Sequence, residues 1–136
     1  MVPVLAEIDP SFVRINGWPG FLNRPLMEAA GIDRNKATEL FVLLGRKAEW
    51  VPDISGFITA RVVATIINEA FFALEEDIST EEEIDTAMKL GTNYPFGPFE
   101  WGEKIGLAGV YSLLAGLAKR ESRYQPCKLL EKKALA

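Results

Sequence analysis

Between Phe57 and Leu74 the sequence is apolar nearly all the way round a helix, and no other stretch limits the fold as much. Phe57, Ile58, Val62, Val63, Ile66, Ile67, Ala70, Phe71 and Leu74 leave no broad polar face, so the helix needs neighbours on most sides. A mainly helical body must surround it. The polar residues Arg61, Thr65, Asn68 and Glu69 fall at i, i+4, i+7 and i+8 and form one narrow stripe. That stripe either meets solvent or a partner subunit, or it forms a wall facing a substrate. The apolar run from Ile54 has membrane length, but Arg61, Asn68 and Glu69 inside it read as a core helix rather than a span.

The helix is followed by an acidic turn and a second helix. Ser79-Thr80-Glu81-Glu82 reads as a capping box, with the Ser79 hydroxyl accepting from the Glu82 amide and the Glu82 carboxylate reaching back. The glutamates there suit the positive end of a helix dipole, which explains them as helix-start chemistry rather than a metal site. Ile84, Ala87 and Met88 supply the buried face and Gly91 the stop. From Asn93 to Pro98 two prolines impose an extended turn, carrying an aromatic wedge of Phe96, Phe99 and Trp101. A last long helix runs from Gly106 to Lys119. Its small residues Ala108, Ser112 and Gly116 allow another helix to approach, and a short helix beginning at Pro126 follows.

Ahead of this body the pattern changes. Val2–Leu5 and Phe12–Ile15 read as strands around Asp9-Pro10, and a short helix after Pro25 through Met27 and Ala30 stops at Gly31. A capped helix spans Asp33 to Leu44 and ends at Gly45, and a strand runs from Lys47 to Val51. Two or three strands with one helix are too few for a nucleotide-binding sheet, and look like the last quarter of one. Residues 1–52 are therefore read as the remnant of the end of a nucleotide-binding α/β domain, and residues 53–136 as a helical C-terminal domain.

Composition excludes several chemistries. The 136 residues contain no histidine, which removes every mechanism needing an imidazole from this chain. One cysteine, Cys127, permits no internal disulfide and favours a reducing, cytoplasmic compartment, and it cannot build a zinc site. A net charge of -4 argues against nucleic acid or a polybasic membrane contact as partner. The charge is uneven: Glu75 to Asp85 holds seven acids in eleven residues, and Lys119 to Lys133 six bases against two acids. These runs are either solvated faces or, for the basic one, a surface for a ligand phosphate or an acidic partner. Met1 to Glu7 lacks the basic and apolar regions of a signal peptide.

The order of motifs resembles the 3-hydroxyacyl-CoA dehydrogenase family. Gly56-Phe57-Ile58-Thr59-Ala60-Arg61 is similar to the family's GFxxNR opening, Asn68-Glu69-Ala70 to its NEA-type helix, and Gly91-Thr92-Asn93-Tyr94-Pro95-Phe96-Gly97-Pro98 to its GxNxPxGP turn. Upstream, Arg14-Ile15-Asn16-Gly17-Trp18-Pro19-Gly20 looks like the strand and loop that carries the family's catalytic histidine. Leu26-Met27-Glu28 looks like the segment whose glutamate orients it. The resemblance implies a mainly α fold: a 6-phosphogluconate-dehydrogenase C-terminal-like helical domain preceded by a short truncated α/β segment. It also implies NAD-dependent oxidation of 3-hydroxyacyl-CoA to 3-oxoacyl-CoA in fatty-acid or butanoate metabolism, with the helical domain forming a homodimer and one wall of an acyl-CoA cleft.

At the site positions the chain departs from that pattern. Asn16 stands where the resemblance expects the base, and Ala60 where it expects an asparagine that hydrogen-bonds the substrate oxygen; the orienter-like Glu28 remains. An amide takes no proton near neutral pH, and alanine offers no polar group. No GxGxxG follows a strand to hold the NAD pyrophosphate. By resemblance Glu28 is the residual catalytic position, and Asn16, Phe57, Ala60 and Arg61 the substrate-binding ones. The chain alone is then not a competent dehydrogenase. Three readings remain: a C-terminal domain fragment or component of such a dehydrogenase, with an NAD-binding domain in trans as one way to complete it, a stand-alone non-catalytic relative that binds acyl-CoA or scaffolds, and an unrelated structural helical module.

Overall fold

The computed structural model describes residues 3–136, which divide into two compact units, one ending at Ala60 and one spanning Arg61–Ala136. The elements, in chain order, are α1 (Leu5–Ile8), β1 (Arg14–Ile15), β2 (Leu26–Ala30), α2 (Arg34–Leu43) and β3 (Lys47–Trp50), then α3 (Thr59–Glu75), α4 (Glu81–Thr92), α5 (Pro98–Ile105), α6 (Leu107–Ala118) and α7 (Lys128–Ala134). A 3₁₀ turn at Ser122–Tyr124 lies between the last two. The unit boundary falls just inside α3. The fold is helical with a small three-stranded sheet.

In the first unit the sheet order is β1-β2-β3, with β1 antiparallel and β3 parallel to the central β2. Two expectations fail here. Leu26–Ala30 is a strand, not a helix. Leu, Met, Glu and Ala all favour helix locally, but the segment is flanked on both sides, and pairing with two neighbours overrides a weak propensity. Its pleat sends Met27 and Ala29 into one cluster with Phe41, and Ala30 into another with Leu5, Val51 and Phe57. The expected strand at Val2–Leu5 is also absent where it can be assessed. Val2 lies outside the described residues, and Leu5 opens the single helical turn of α1, its amide donating to Asp53 Oδ2 at 2.6 Å. The strand expected from Phe12 is shorter than read, pairing only at Arg14 and Ile15. Helix α2 and strand β3 lie where expected, with Gly45 (φ 66°) ending the helix in the left-handed region.

In the second unit α3 is the central element. Val63, Ala64, Ile67, Ala70 and Phe71 are buried, and Phe71 meets Phe99 edge-on at 5.0 Å between ring centres. Val110, Leu113, Leu114 and Leu117 of α6 and Leu130 of α7 complete this core. Three helix signals shift by a residue or two, the last helix opening at Lys128 after Cys127 rather than at Pro126. The α4 cap is Thr80, whose hydroxyl accepts from the Glu83 amide at 3.3 Å, while Ser79 instead donates to Glu83 Oε2 at 2.6 Å. Glu83, not Glu82, is the third helical residue, so the box is read from Thr80. The stop is Asn93 (φ 57°) rather than Gly91, because an asparagine tolerates the left-handed turn and leaves Gly91 inside the helix.

Pro98, expected to close an extended turn, is instead the first residue of α5, a helix the sequence does not predict. Gly97 and Pro98 form its start, and the buried Asp85 carboxylate of α4 accepts from the Phe99 amide at 2.8 Å and the Glu100 amide at 3.0 Å. This cap comes from fourteen residues upstream, so no local pattern announces it. Gly97 is required there, since a Cβ would collide with the Asp85 side chain.

Candidate functional site

Asn16 follows β1 directly, and Glu28 lies in the middle of β2. The antiparallel register that pairs Ile15 with Ala29 sets Asn16 beside Glu28. The Asn16 amide nitrogen of the main chain donates to the Glu28 carbonyl at 3.1 Å, and its side-chain Nδ2 donates to Glu28 Oε2 at 2.9 Å. Asn16 Oδ1 in turn accepts from the Trp18 main-chain amide at 3.2 Å. The asparagine is only 5% exposed. The two positions singled out twelve residues apart are thus in hydrogen-bonding contact.

The other oxygen of Glu28 has a different partner. Oε1 accepts from the main-chain amides of Ile58 at 3.1 Å and Thr59 at 2.9 Å, the amides at the start of α3. Helix-start amides lack intrahelical acceptors, so a carboxylate there satisfies them and suits the positive end of the dipole. Glu28 therefore receives three donors on two oxygens. A cleft of about 410 Å³ opens beside this pair, lined by Asn16, Phe21, Arg24, Leu26, Glu49 and Thr59, among others. Glu49 enters through the parallel register that pairs it with Glu28. The sequence offered no separate signal for Thr59, whose contribution is a backbone amide, nor for Arg24 or Phe21.

The remaining site candidates fall elsewhere. Phe57 is 3% exposed and belongs to the core cluster with Leu5, Ala30 and Val51. It sits at φ 52° with the Arg14 guanidinium carbon 4.1 Å from its ring centre. Arg14 also donates to Asp53 Oδ1 at 2.9 Å and to the Ile54 carbonyl at 2.6 Å, fixing the approach to α3. Ala60 is buried at 2%.

Arg61 lies in the second unit and donates to the Tyr124 hydroxyl at 2.7 Å. It heads the polar stripe of α3, which turns out to meet neither solvent alone nor a cleft. Asn68, 5% exposed, donates to the Gln125 carbonyl at 3.0 Å and accepts from the Cys127 amide at 2.8 Å. One heptad further, Glu75 accepts from the Leu129 amide at 3.1 Å and from the Cys127 thiol. Arg61, Asn68 and Glu75 thus bind the chain's last segment to α3 at seven-residue steps, while Thr65 and Glu69 stay exposed. Burial, above all, pushes the Cys127 thiol up from its ordinary value.

The acidic and basic runs also meet within this unit, where Lys133 pairs with Glu81.

Among the described residues the one turn from a parallel strand into a helix is Ala30-Gly31-Ile32-Asp33. A Cβ on Gly31 would meet Val13 Cγ2 at 3.0 Å, so this glycine serves packing against the segment before β1, not a phosphate. Asp33 places a negative charge at the head of α2, which opposes an anion there. Among the described residues no group of three or more acidic, cysteine or histidine side chains is placed to hold a metal ion. No described helix is long and apolar enough to cross a membrane.

Comparison with known proteins follows the same lines. Residues 56–136 match the family described as "3-hydroxyacyl-CoA dehydrogenase, C-terminal domain". The chain is 40% identical over 113 residues to a 3-hydroxyadipyl-CoA dehydrogenase of Escherichia coli K12, covering 79% of this chain and 24% of that protein. It is 38% identical over 121 residues to a 3-hydroxybutyryl-CoA dehydrogenase of Bradyrhizobium diazoefficiens, covering 79% and 41%. The crystal structure of a 3-hydroxybutyryl-CoA dehydrogenase from Escherichia coli K12 superposes with a TM-score of 0.75 at 38% identity, over 82% of this chain and 25% of that one. The chain spans between a quarter and about two-fifths of the length of these relatives.

Proposed function

Since the chain belongs to the 3-hydroxyacyl-CoA dehydrogenase family through its C-terminal domain, we propose that it is a component of such an enzyme that does not complete the reaction alone. In this reading the helical unit supplies one wall of an acyl-CoA cleft and a homodimer interface. NAD is held by a nucleotide-binding unit in trans, and the compartment is the cytoplasm. The reaction served is oxidation of a 3-hydroxyacyl-CoA to the 3-oxoacyl-CoA.

One observation carries the proposal: Asn16 and Glu28 are in contact at 2.9 Å, in a cleft, with an amide standing where a base would have to be. Two side chains of one cleft thus keep the arrangement of a base and its orienter, but the first takes no proton. The exposed apolar side chains of the first unit (Phe12 before β1 at 58%, Leu40 and Leu43 on α2 at 57% and 84%) support the view that a further α/β unit packs against it.

A second reading, a stand-alone relative that binds acyl-CoA or scaffolds, is favoured by the closure of the same polar set. Asn16 Nδ2, Asn16 Oδ1 and both Glu28 oxygens all have partners within the chain. The deciding experiment mixes the purified protein with acetoacetyl-CoA and NADH and follows the loss of NADH absorbance. It is run alone and with an NAD-binding unit from the same source. Silence alone and slow turnover on mixing, without the contribution of a positioned base, is the expected result. Turnover by the chain alone overturns the proposal, and silence in both moves the reading to the stand-alone relative, which calorimetry with acetoacetyl-CoA then tests.

A further inference from the structure

Strand β3 ends the sheet, and among the described residues no strand flanks its outer side. The direction of its hydrogen bonds follows from two main-chain contacts. The Lys47 amide donates to the Pro25 carbonyl at 2.8 Å, and the Val51 amide to the Ala29 carbonyl at 2.9 Å. Odd-numbered residues of β3 therefore direct their amides to β2, and by alternation Ala48 and Trp50 direct theirs outward. An edge of this kind is a template for another strand.

The side chains on that edge decide which strand fits. Lys47 and Glu49 are both exposed and share the sheet face that carries Glu28, since the register pairs Leu26 with Lys47 and Glu28 with Glu49. Charged side chains blunt a strand edge, and they do so most where like charges would meet across it. Here opposite charges stand two residues apart, which is self-complementary in an antiparallel arrangement.

Parity limits the choices. Outward-facing residues must pair with outward-facing ones, so the two-fold axis passes through Ala48, Glu49 or Trp50. An axis at Glu49 sets that carboxylate against its own copy, the like-charge contact that cross-strand pairs avoid. An axis at Trp50 leaves Lys47 beyond the paired residues. An axis at Ala48 sets Lys47 against Glu49 twice.

We infer that β3 pairs antiparallel with β3 of a second copy, with Ala48 on the two-fold axis and Glu49 facing the partner's Lys47. The pairing joins two three-stranded sheets into one of six. It also brings an ammonium to the rim of the Asn16–Glu28 cleft, because Glu49 lines that cleft. The cleft then gains a cation from the neighbouring chain. This inference stands apart from the helical-unit homodimer and from any catalytic reading.

Cysteine cross-linking of the full chain tests it. In the Ala48-centred register residue 47 faces residue 49 of the other copy as a close, non-hydrogen-bonded pair, within the Cα separation a disulfide accepts. Under mild oxidation an equal mixture of the Lys47→Cys and Glu49→Cys chains, which keeps one Lys47–Glu49 pair across the axis, should give roughly tenfold more covalent dimer than Lys47→Cys alone, Glu49→Cys alone or the unmodified chain, whose Cys127 is buried. Both positions are exposed, so the variants retain the fold. Because the readout is which residue meets which, a dimer formed elsewhere on the chain cannot imitate it. Efficient cross-linking of Glu49→Cys alone would place the axis at Glu49 and overturn the register. No excess of covalent dimer in the mixture would overturn the pairing itself.

Discussion

Two side chains, Glu28 and Asn68, each hold several backbone groups that would otherwise lack partners, and both do so at a distance in sequence. Glu28 takes the Ile58 and Thr59 amides and the Asn16 amide group. Removing it in Glu28→Ala leaves three donors without their acceptor and costs about 2 kcal/mol. Glu28→Gln costs about half of that, since one of its two terminal atoms must then face donors as a donor. Urea denaturation with an unchanged m-value measures both. A Glu28→Ala variant as stable as the parent would show that the α3 start does not depend on this carboxylate. Asn68 reads one carbonyl and one amide of the last segment at a buried site. Asn68→Ala therefore costs about 3 kcal/mol, as two backbone groups lose their partners behind an emptied side chain. Asn68→Asp retains the acceptor toward the Cys127 amide but sets a carboxylate against the Gln125 carbonyl, so it does not restore the loss.

At the scale of elements, the starts of α4 and α5 carry a pH dependence whose sign is fixed. The Ser79 hydroxyl first, then the Thr80 amide and hydroxyl, hold Glu83 below the ordinary carboxylate value of 4.5. Lys89, 2.6 Å away, and then the Gly97 amide do the same for Glu100. A carboxylate depressed on folding contributes stability above its unfolded value, and loses it as the pH falls through the folded value. Melting temperature should accordingly fall on acidification below about pH 4.5, and the fall should be shallower in Ser79→Ala. An identical acid limb in that variant would remove Glu83 from the account.

Elements were legible in the sequence to the extent that their causes were local. Helices α2, α3, α4 and α6 follow from periodicity and nearby stops. β2 did not, because LMEAA favours a helix until β1 and β3 flank it. The Asp85 cap of α5 and the Arg61–Asn68–Glu75 docking stripe depend on partners fourteen to sixty-three residues away. The site was legible where a resemblance pointed to it, as for Asn16 and Glu28. It was illegible where backbone supplied the group, as at Thr59, or where register did, as at Glu49.

At the scale of the whole molecule, the two deficits of the first unit are physically independent. One is the amide at Asn16, where no proton can be taken. The other is the sheet, whose one strand-to-helix turn among the described residues has a glycine filled by Val13 and an acid at the helix head, features that disfavour a phosphate there. Repairing the first cannot repair the second. Asn16→His would set an imidazole against Glu28, the partner that already receives Nδ2 of Asn16 at 2.9 Å. With acetoacetyl-CoA and NADH that variant alone should leave the NADH absorbance unchanged, and NADH fluorescence should show no saturable binding. Its activity should appear only when a nucleotide-binding unit is added, and should then exceed that of the parent chain by about 10²-fold or more, the scale of a positioned general base. Turnover by the variant alone would mean that the dinucleotide is held by some part of residues 3–136 that lacks a phosphate-binding turn, and the division of labour proposed for this chain would be wrong.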